Sequence, residues 1–102
     1  MREIDLDASK WATLLDFYDA LLSALGAPDW HGRSINALID SMIWGGINRV
    51  EPPYLIRIRG IARPPKTVQD HIELARDSLL RARAEFHGLR GRDVGVSLEI
   101  VR

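Results

Sequence analysis

A small α/β fold built on a three-stranded parallel sheet packed by helices is predicted by three observations. Two short runs, Tyr54 to Arg59 and Val94 to Val101, alternate large apolar with polar or small residues at the period of two that a strand requires. The stretches that separate the strands carry apolar residues at helical spacing instead. Each connection between successive strands also exceeds the roughly dozen residues that a parallel crossover needs, whereas a hairpin would need only a few. Helices are expected to cover the faces of this sheet, because Val94, Val96, Leu98 and Ile100 would otherwise leave a row of apolar side chains in water.

The elements follow in order. Glu3 to Leu6 forms a short first strand. Trp11, Leu14, Leu15, Tyr18, Leu22 and Leu25 mark an amphipathic helix that Gly26 stops. Ser34 is placed to cap a second helix by accepting a backbone N–H, and Ile35, Leu38, Ile39 and Met42 recur along it as one apolar stripe facing the core. Glu51-Pro52-Pro53 leads stiffly into the second strand, Tyr54 to Arg59, and Gly60 to Lys66 is a proline-containing connection. Thr67 with Asp70 has the spacing of a capping box and opens the last helix. Its Val68, Ile72, Ala75, Leu79, Ala82 and Phe86 share one face as far as Gly88. Val94 to Val101 closes the sheet.

With 102 residues, 46% hydrophobic and 27% charged, the chain is expected to form one domain, residues 1–102, around a single core. Fourteen basic and fourteen acidic side chains cancel, so net charge indicates neither a general polyanion binder nor an acidic decoy. The halves differ: residues 1–51 hold eight acidic and four basic groups, residues 52–102 six acidic and ten basic. The absence of cysteine excludes disulfides and thiolate chemistry. The start Met-Arg-Glu-Ile-Asp is too charged for a signal peptide, and a cytoplasmic location is expected. No run approaches the ~18 apolar residues that would span a bilayer, so no membrane partner is expected.

Residues 28–44 are the most informative. Pro28 and Gly32 punctuate a loop that carries Trp30 and His31 and runs into the second helix. At about 100° per residue, Arg33, Asn36, Asp40 and Trp44 fall on the side opposite the apolar stripe. Arg33 at the positive end and Asp40 near the negative end both oppose the helix dipole, at ~0.3 to 1 kcal/mol each, so helix stability gives no reason for them. Two readings follow. Either the exposed face is shaped for a partner, or it is an ordinary solvated face on a helix ending near Ile43, with Trp44 turned inward.

Pro28-Asp29-Trp30-His31-Gly32-Arg33-Ser34-Ile35-Asn36-Ala37-Leu38-Ile39-Asp40 resembles the loop and helix of the barstar-like family of ribonuclease inhibitors. The resemblance implies a barstar-like fold and a non-enzymatic inhibitor whose loop and helix plug a nuclease active site, with carboxylates standing where substrate phosphates bind. It carries a partner-binding role to Trp30, His31, Gly32, Arg33, Asn36, Asp40 and Trp44. Four departures stand out. Asn36 occupies the first of two positions where the family presents aspartate, and Ile39 replaces an aromatic. The last helix, where the family adds a further glutamate, reads Leu80-Arg81-Ala82-Arg83-Ala84-Glu85. The family's short third helix is replaced by Gly60-Ile61-Ala62-Arg63-Pro64-Pro65.

Other chemistries are weaker. His31, His71 and His87 are too widely spaced for a ligand pair, so no metal or cofactor is expected. Asp29 and His31 have the composition of an acid-base pair, but a histidine in a polar loop is more often an exposed contact residue. Gly45-Gly46 and Gly88-x-x-Gly91 lack the context of a phosphate loop and read as turns. A nucleic-acid module is the main rival, using Arg57, Arg59, Arg63, Lys66, Arg76, Arg81, Arg83, Arg90 and Arg92 if the fold gathers them. Asp77 with Arg81, Glu73 with Arg76 and Arg81 with Glu85 are within reach of each other on the last helix and would neutralise several. The resemblance therefore implies a nuclease or toxin protein as the partner, with no direct nucleic-acid contact expected. A non-nuclease protein partner is the other alternative.

Overall fold

The computed structural model describes all 102 residues. Its order is β1 (Arg2–Asp7), α1 (Leu14–Leu25), α2 (Ile35–Leu38) running directly into a π-helical segment (Ile39–Trp44), β2 (Tyr54–Arg59), α3 (Lys66–Arg90) and β3 (Val96–Ile100). The strands form one parallel sheet in the order β1-β2-β3. Register places Ile4 beside Ile56 and Ile56 beside Leu98, so inward side chains line up across all three strands. The predicted class and strand direction hold.

Alternation along β2 decides what the sheet faces. Tyr54, Ile56 and Ile58 are fully buried, while Leu55 and Arg57 are half-buried and Arg59 exposed. The buried side joins Phe17, Leu21 and Leu25 of α1, Leu38 of α2, and Val68, Ile72, Ala75, Leu79, Ala82 and Phe86 of α3 in one cluster of 22 residues. The six α3 residues are those the periodicity selected. Helices therefore cover one face, not both as expected. The other face needs no cover because charges pair across it: Arg57 with Glu3, and Arg59 with Asp5 at 3.7 Å. Cross-strand pairs of opposite charge suit a solvated sheet surface.

Several boundaries differ for local reasons. Trp11 lies before α1 and packs on Phe17 with centroids 5.8 Å apart, while the Asp16 carboxylate accepts the Ala12 and Thr13 N–H groups at 2.7 and 3.0 Å and fixes the helix start. The expected capping box at Thr67 and Asp70 is not formed. Pro65 starts α3 instead, its carbonyl accepting Val68 and Gln69 N–H groups, and Asp70 meets Lys66 one turn back at 3.2 Å. Gly88 does not end α3, which runs to Arg90 and stops where Gly91 turns left-handed at φ 71° with its N–H on the His87 carbonyl. The ion pairs expected on this helix are also redistributed: Arg76 takes Asp77 at 3.0 Å, and Glu73 takes Arg102 at 2.7 Å. Asp77–Arg81 and Arg81–Glu85 do not form.

Two polar contacts hold α3 in place. The Tyr18 hydroxyl and His71 Nε2 lie 2.6 Å apart between α1 and α3; burial raises the tyrosine pKa and lowers that of the histidine, favouring two neutral groups in which the hydroxyl donates. At the other end, Arg83 grips both oxygens of Asp93 at 2.7 Å and donates to the Val96 carbonyl and Ser97 hydroxyl. A turn before β3 forms around Asp93, which also accepts the Gly95 N–H at 2.9 Å, and this delays the strand from Val94 to Val96.

The Arg83 guanidinium and the Gly95 N–H hold the Asp93 carboxyl far below its ordinary value of 3.8. A folded pKa below the unfolded one gives stability that is complete above the unfolded value and lost as pH falls through and below it. Asp93→Asn is thus expected to lower the urea midpoint at pH 7 and to reduce the loss of stability on acidification below about pH 4. Urea titrations of both proteins between neutral and acid pH check this.

Candidate partner-binding site

The loop from Gly26 to Ser34 is positioned from both ends. Gly26 takes a left-handed conformation at φ 65° to end α1, and a side chain there would meet Arg49 Cβ at 2.7 Å, so glycine is demanded by both conformation and space. The neighbouring carbonyls of Leu25 and Gly26 accept Val50 and Arg49 N–H groups, tying the loop base to the segment before β2. At the far end, the Ser34 hydroxyl accepts the Ala37 N–H at 3.1 Å, the predicted cap of α2.

His31 holds the middle. It is only 4% exposed, so the expected exposed contact residue is instead an internal strut. Its Nδ1 lies 2.7 Å from the Gly32 carbonyl and its Nε2 2.7 Å from the Ser41 hydroxyl. A carbonyl can only accept, so Nδ1 carries the hydrogen, and in the neutral ring Nε2 accepts from Ser41. The side chain has no free ring nitrogen for acid-base work with Asp29. With the histidine inside, Trp30 is pushed out to 73% exposure and Gly32 stays on the surface. Arg33 is exposed but engaged: its Nε and one terminal nitrogen reach Asp19 of α1 at 3.0 and 2.9 Å, bracing the loop from outside.

The second helix changes pitch at Ile39. Ser34 accepts the Leu38 N–H in α-helical fashion, whereas Asp40 accepts from Gly45, five residues on. The wider turn brings Leu38 and Ile43 onto the same inward line, both buried, together with Met42 and Ser41. Of the expected stripe, Leu38 and Met42 are core residues and Ile35 and Ile39 are half-buried at its edge. Asn36, Asp40 and Trp44 face outward as expected. Trp44 neither turns into the core nor stands free: 47% exposed, it packs edge-on against Phe86 of α3 at 5.1 Å, with the Arg90 guanidinium 5.3 Å from its ring.

Between this helix and α3 runs a groove of about 280 Å³ lined by Asn36, Ile39, Trp44, Arg81, Glu85 and Leu89, among others. Arg81, Glu85 and Leu89 were not selected from sequence as partner-binding residues, although their spacing of four puts them on one stripe of α3. Which carboxylates line this region is informative. Asp29, Asp40, Glu85 and Glu99 alone among the acidic side chains have neither an ion pair nor a hydrogen bond, and only Glu99, on the open sheet face, lies away from the loop, helix and groove. The fold uses the others for itself. No cluster of three or more histidine, aspartate or glutamate side chains converges to hold a metal ion, and no helix is long and apolar enough to cross a membrane.

Residues 1–100 match the family described as Barstar (barnase inhibitor). The chain belongs to the barstar family. It is accordingly a non-enzymatic protein inhibitor that binds a ribonuclease-type partner, and its three-stranded parallel sheet with packed helices is the barstar fold. No individual curated protein matches it significantly. This barstar family member pairs half of its fourteen lysine and arginine side chains internally. Arg57, Arg59, Lys66, Arg76 and Arg83, five of those a nucleic-acid module would use, are in ion pairs.

The strut gives a direct test. In the neutral protein His31 is expected to be the Nδ1–H tautomer, read from long-range nitrogen–proton correlations of the ring. Ser41→Ala leaves buried Nε2 without its donor and is expected to cost about 1–3 kcal/mol in chemical denaturation.

Proposed function

We propose that the loop around Trp30, the outward face of the second helix and the facing wall of α3 form one surface that plugs the active site of a nuclease or nuclease toxin, in the cytoplasm. The observation that carries this reading is that Asp29 on the loop, Asp40 on the outward helix face and Glu85 in the groove have no partner within the fold, in the same segments as the exposed tryptophans Trp30 and Trp44. A nuclease site must hold phosphates, and cations arranged for phosphate accept carboxylates equally well. Occlusion then requires no chemistry from the inhibitor, only a rigid fit.

Roles divide accordingly. Trp30 and Trp44 are the apolar anchors, Asp40 and Glu85 the charged contacts, and Asn36 a neutral hydrogen-bonding group between them. Gly32 permits close approach of the loop backbone. His31 and Arg33 act indirectly, by holding the loop in one shape before the partner arrives, so that little ordering entropy is lost on binding.

Truncating an aromatic anchor near an interface centre commonly costs about 2 kcal/mol or more, so Trp30→Ala is expected to weaken inhibition of a susceptible ribonuclease at least ~30-fold. Its exposure predicts an unchanged thermal midpoint, and chemical-shift mapping should place the ribonuclease on residues 28–44 and the groove side of α3. A footprint on the open sheet face would refute the assignment. The protein should also show no retention of RNA or duplex DNA at about 150 mM salt, where exposed charges more than ~8 Å apart are screened.

A further inference from the structure

We propose that Arg81 makes this surface selective for a protein partner of mixed charge, one that seats a carboxylate on Arg81 in the groove, and selective against a uniformly cationic phosphate-binding cleft. The proposal rests on the docking surface described above and adds the chemistry of what must meet it.

Arg81 has two carboxylates within helical reach, Asp77 one turn before and Glu85 one turn after, and pairs with neither. Asp77 is taken by Arg76 at 3.0 Å. Glu85 lines the groove beside Arg81, but the order of cation before anion along a helix is the less favourable one. Arg90 also has no carboxylate and rests on the indole ring of Trp44. Arg33, Arg57, Arg59, Arg76, Arg83 and Arg102 are satisfied within the fold, and of the arginines left without a carboxylate Arg81 is the one that lines the groove.

Its consequence appears when the groove is sealed. A guanidinium has five N–H donors and no acceptor, all hydrated while the surface is open. A partner that fills the groove removes that water, and an unmatched buried cation opposes binding strongly. The partner must therefore supply an acceptor, and a carboxylate fits the planar fork with two parallel hydrogen bonds. Asn36 sharpens the requirement. It brings a neutral amide to the same groove in place of a carboxylate, so Arg81's positive charge is left for the partner to neutralise. Asp40 and Glu85 remain available for the partner's cations, which makes the required face mixed rather than acidic.

Barnase, a basic ribonuclease, serves as the probe. Wild-type protein is expected to inhibit it only weakly, far from nanomolar. Arg81→Glu should strengthen inhibition at least ~10-fold at low salt, Arg81→Met should give a smaller gain, and Asn36→Asp added to Arg81→Glu a larger one, with all gains shrinking as salt rises. Nanomolar inhibition by the wild type, or no gain with Arg81→Glu, overturns the proposal. Binding of a short single-stranded RNA to the wild type, lost on Arg81→Met, also overturns it, since the occupant would then be a phosphate. Trp30→Ala on the Arg81→Glu background separates the two readings: loss of the gain places the effect at the proposed surface, whereas a gain that survives places docking elsewhere and removes both.

Discussion

A nine-residue polar loop carrying an exposed tryptophan keeps one conformation here because an imidazole is buried beneath it. The His31 ring spans from the Gly32 carbonyl to the Ser41 hydroxyl, so the loop and the middle of the second helix are fastened at 2.7 Å on each side. Both ring nitrogens are used, and the ring cannot rotate without breaking a hydrogen bond inside a dry core, where an unpaired polar group is costly. Everything the proposed docking surface presents depends on this fastening. Trp30 points outward because its neighbour points inward, and Asp40 and Trp44 bracket the one serine that the histidine holds.

The change of helical pitch at Ile39 solves a second problem. A helix of pure α geometry would direct Ile43 away from the line set by Leu38, and one large apolar residue would be lost from the core. Widening the turn to an i to i+5 bond recovers Ile43 for the interior and sets Trp44 against Phe86. The tryptophan is thereby supported from behind by α3 while its other face stays open. Rigidity of this kind favours affinity by reducing what must be ordered on association.

Much of this was legible in the residues. The α3 stripe from Val68 to Phe86, the bounds of β2, the stop at Gly26 and the cap at Ser34 follow from periodicity and backbone preference, which are local properties and survive folding unchanged. The outward face of Asn36, Asp40 and Trp44 was legible for the same reason. His31 was misplaced because its burial is decided by Ser41, ten residues away, although a hydroxyl inside the run Leu38 to Ile43 is itself a sign that some polar partner must come to it. Arg81 was legible as a phosphate-contact candidate or a member of a salt-laced helix, and Glu85 as the one acid in an otherwise basic stretch. Their place in the groove depends on how α3 crosses the second helix, and Asp77 and Glu73 chose other partners because Arg76 and Arg102 lie closer in three dimensions. The one-sided cover of the sheet was missed because its outer charges pair between strands, which strand sequences show only once register is known.

The grip of Arg83 on β3 has a bearing on the protein at working concentration. An occluding inhibitor must match its target molecule for molecule, so it has to remain monodisperse however much of it is made. A three-stranded parallel sheet has two free margins, each able to recruit another chain by strand addition. On the β3 margin the outward carbonyl of Val96 is already taken by Arg83 at 3.0 Å. On the β1 margin the outward backbone groups belong to Glu3, Asp5 and Asp7, so an approaching copy of the same strand would bring carboxylate against carboxylate. The same charged side chains that orient α3 and solvate the sheet thus discourage the chain from polymerising on itself, leaving the proposed tryptophan-bearing surface free for its target.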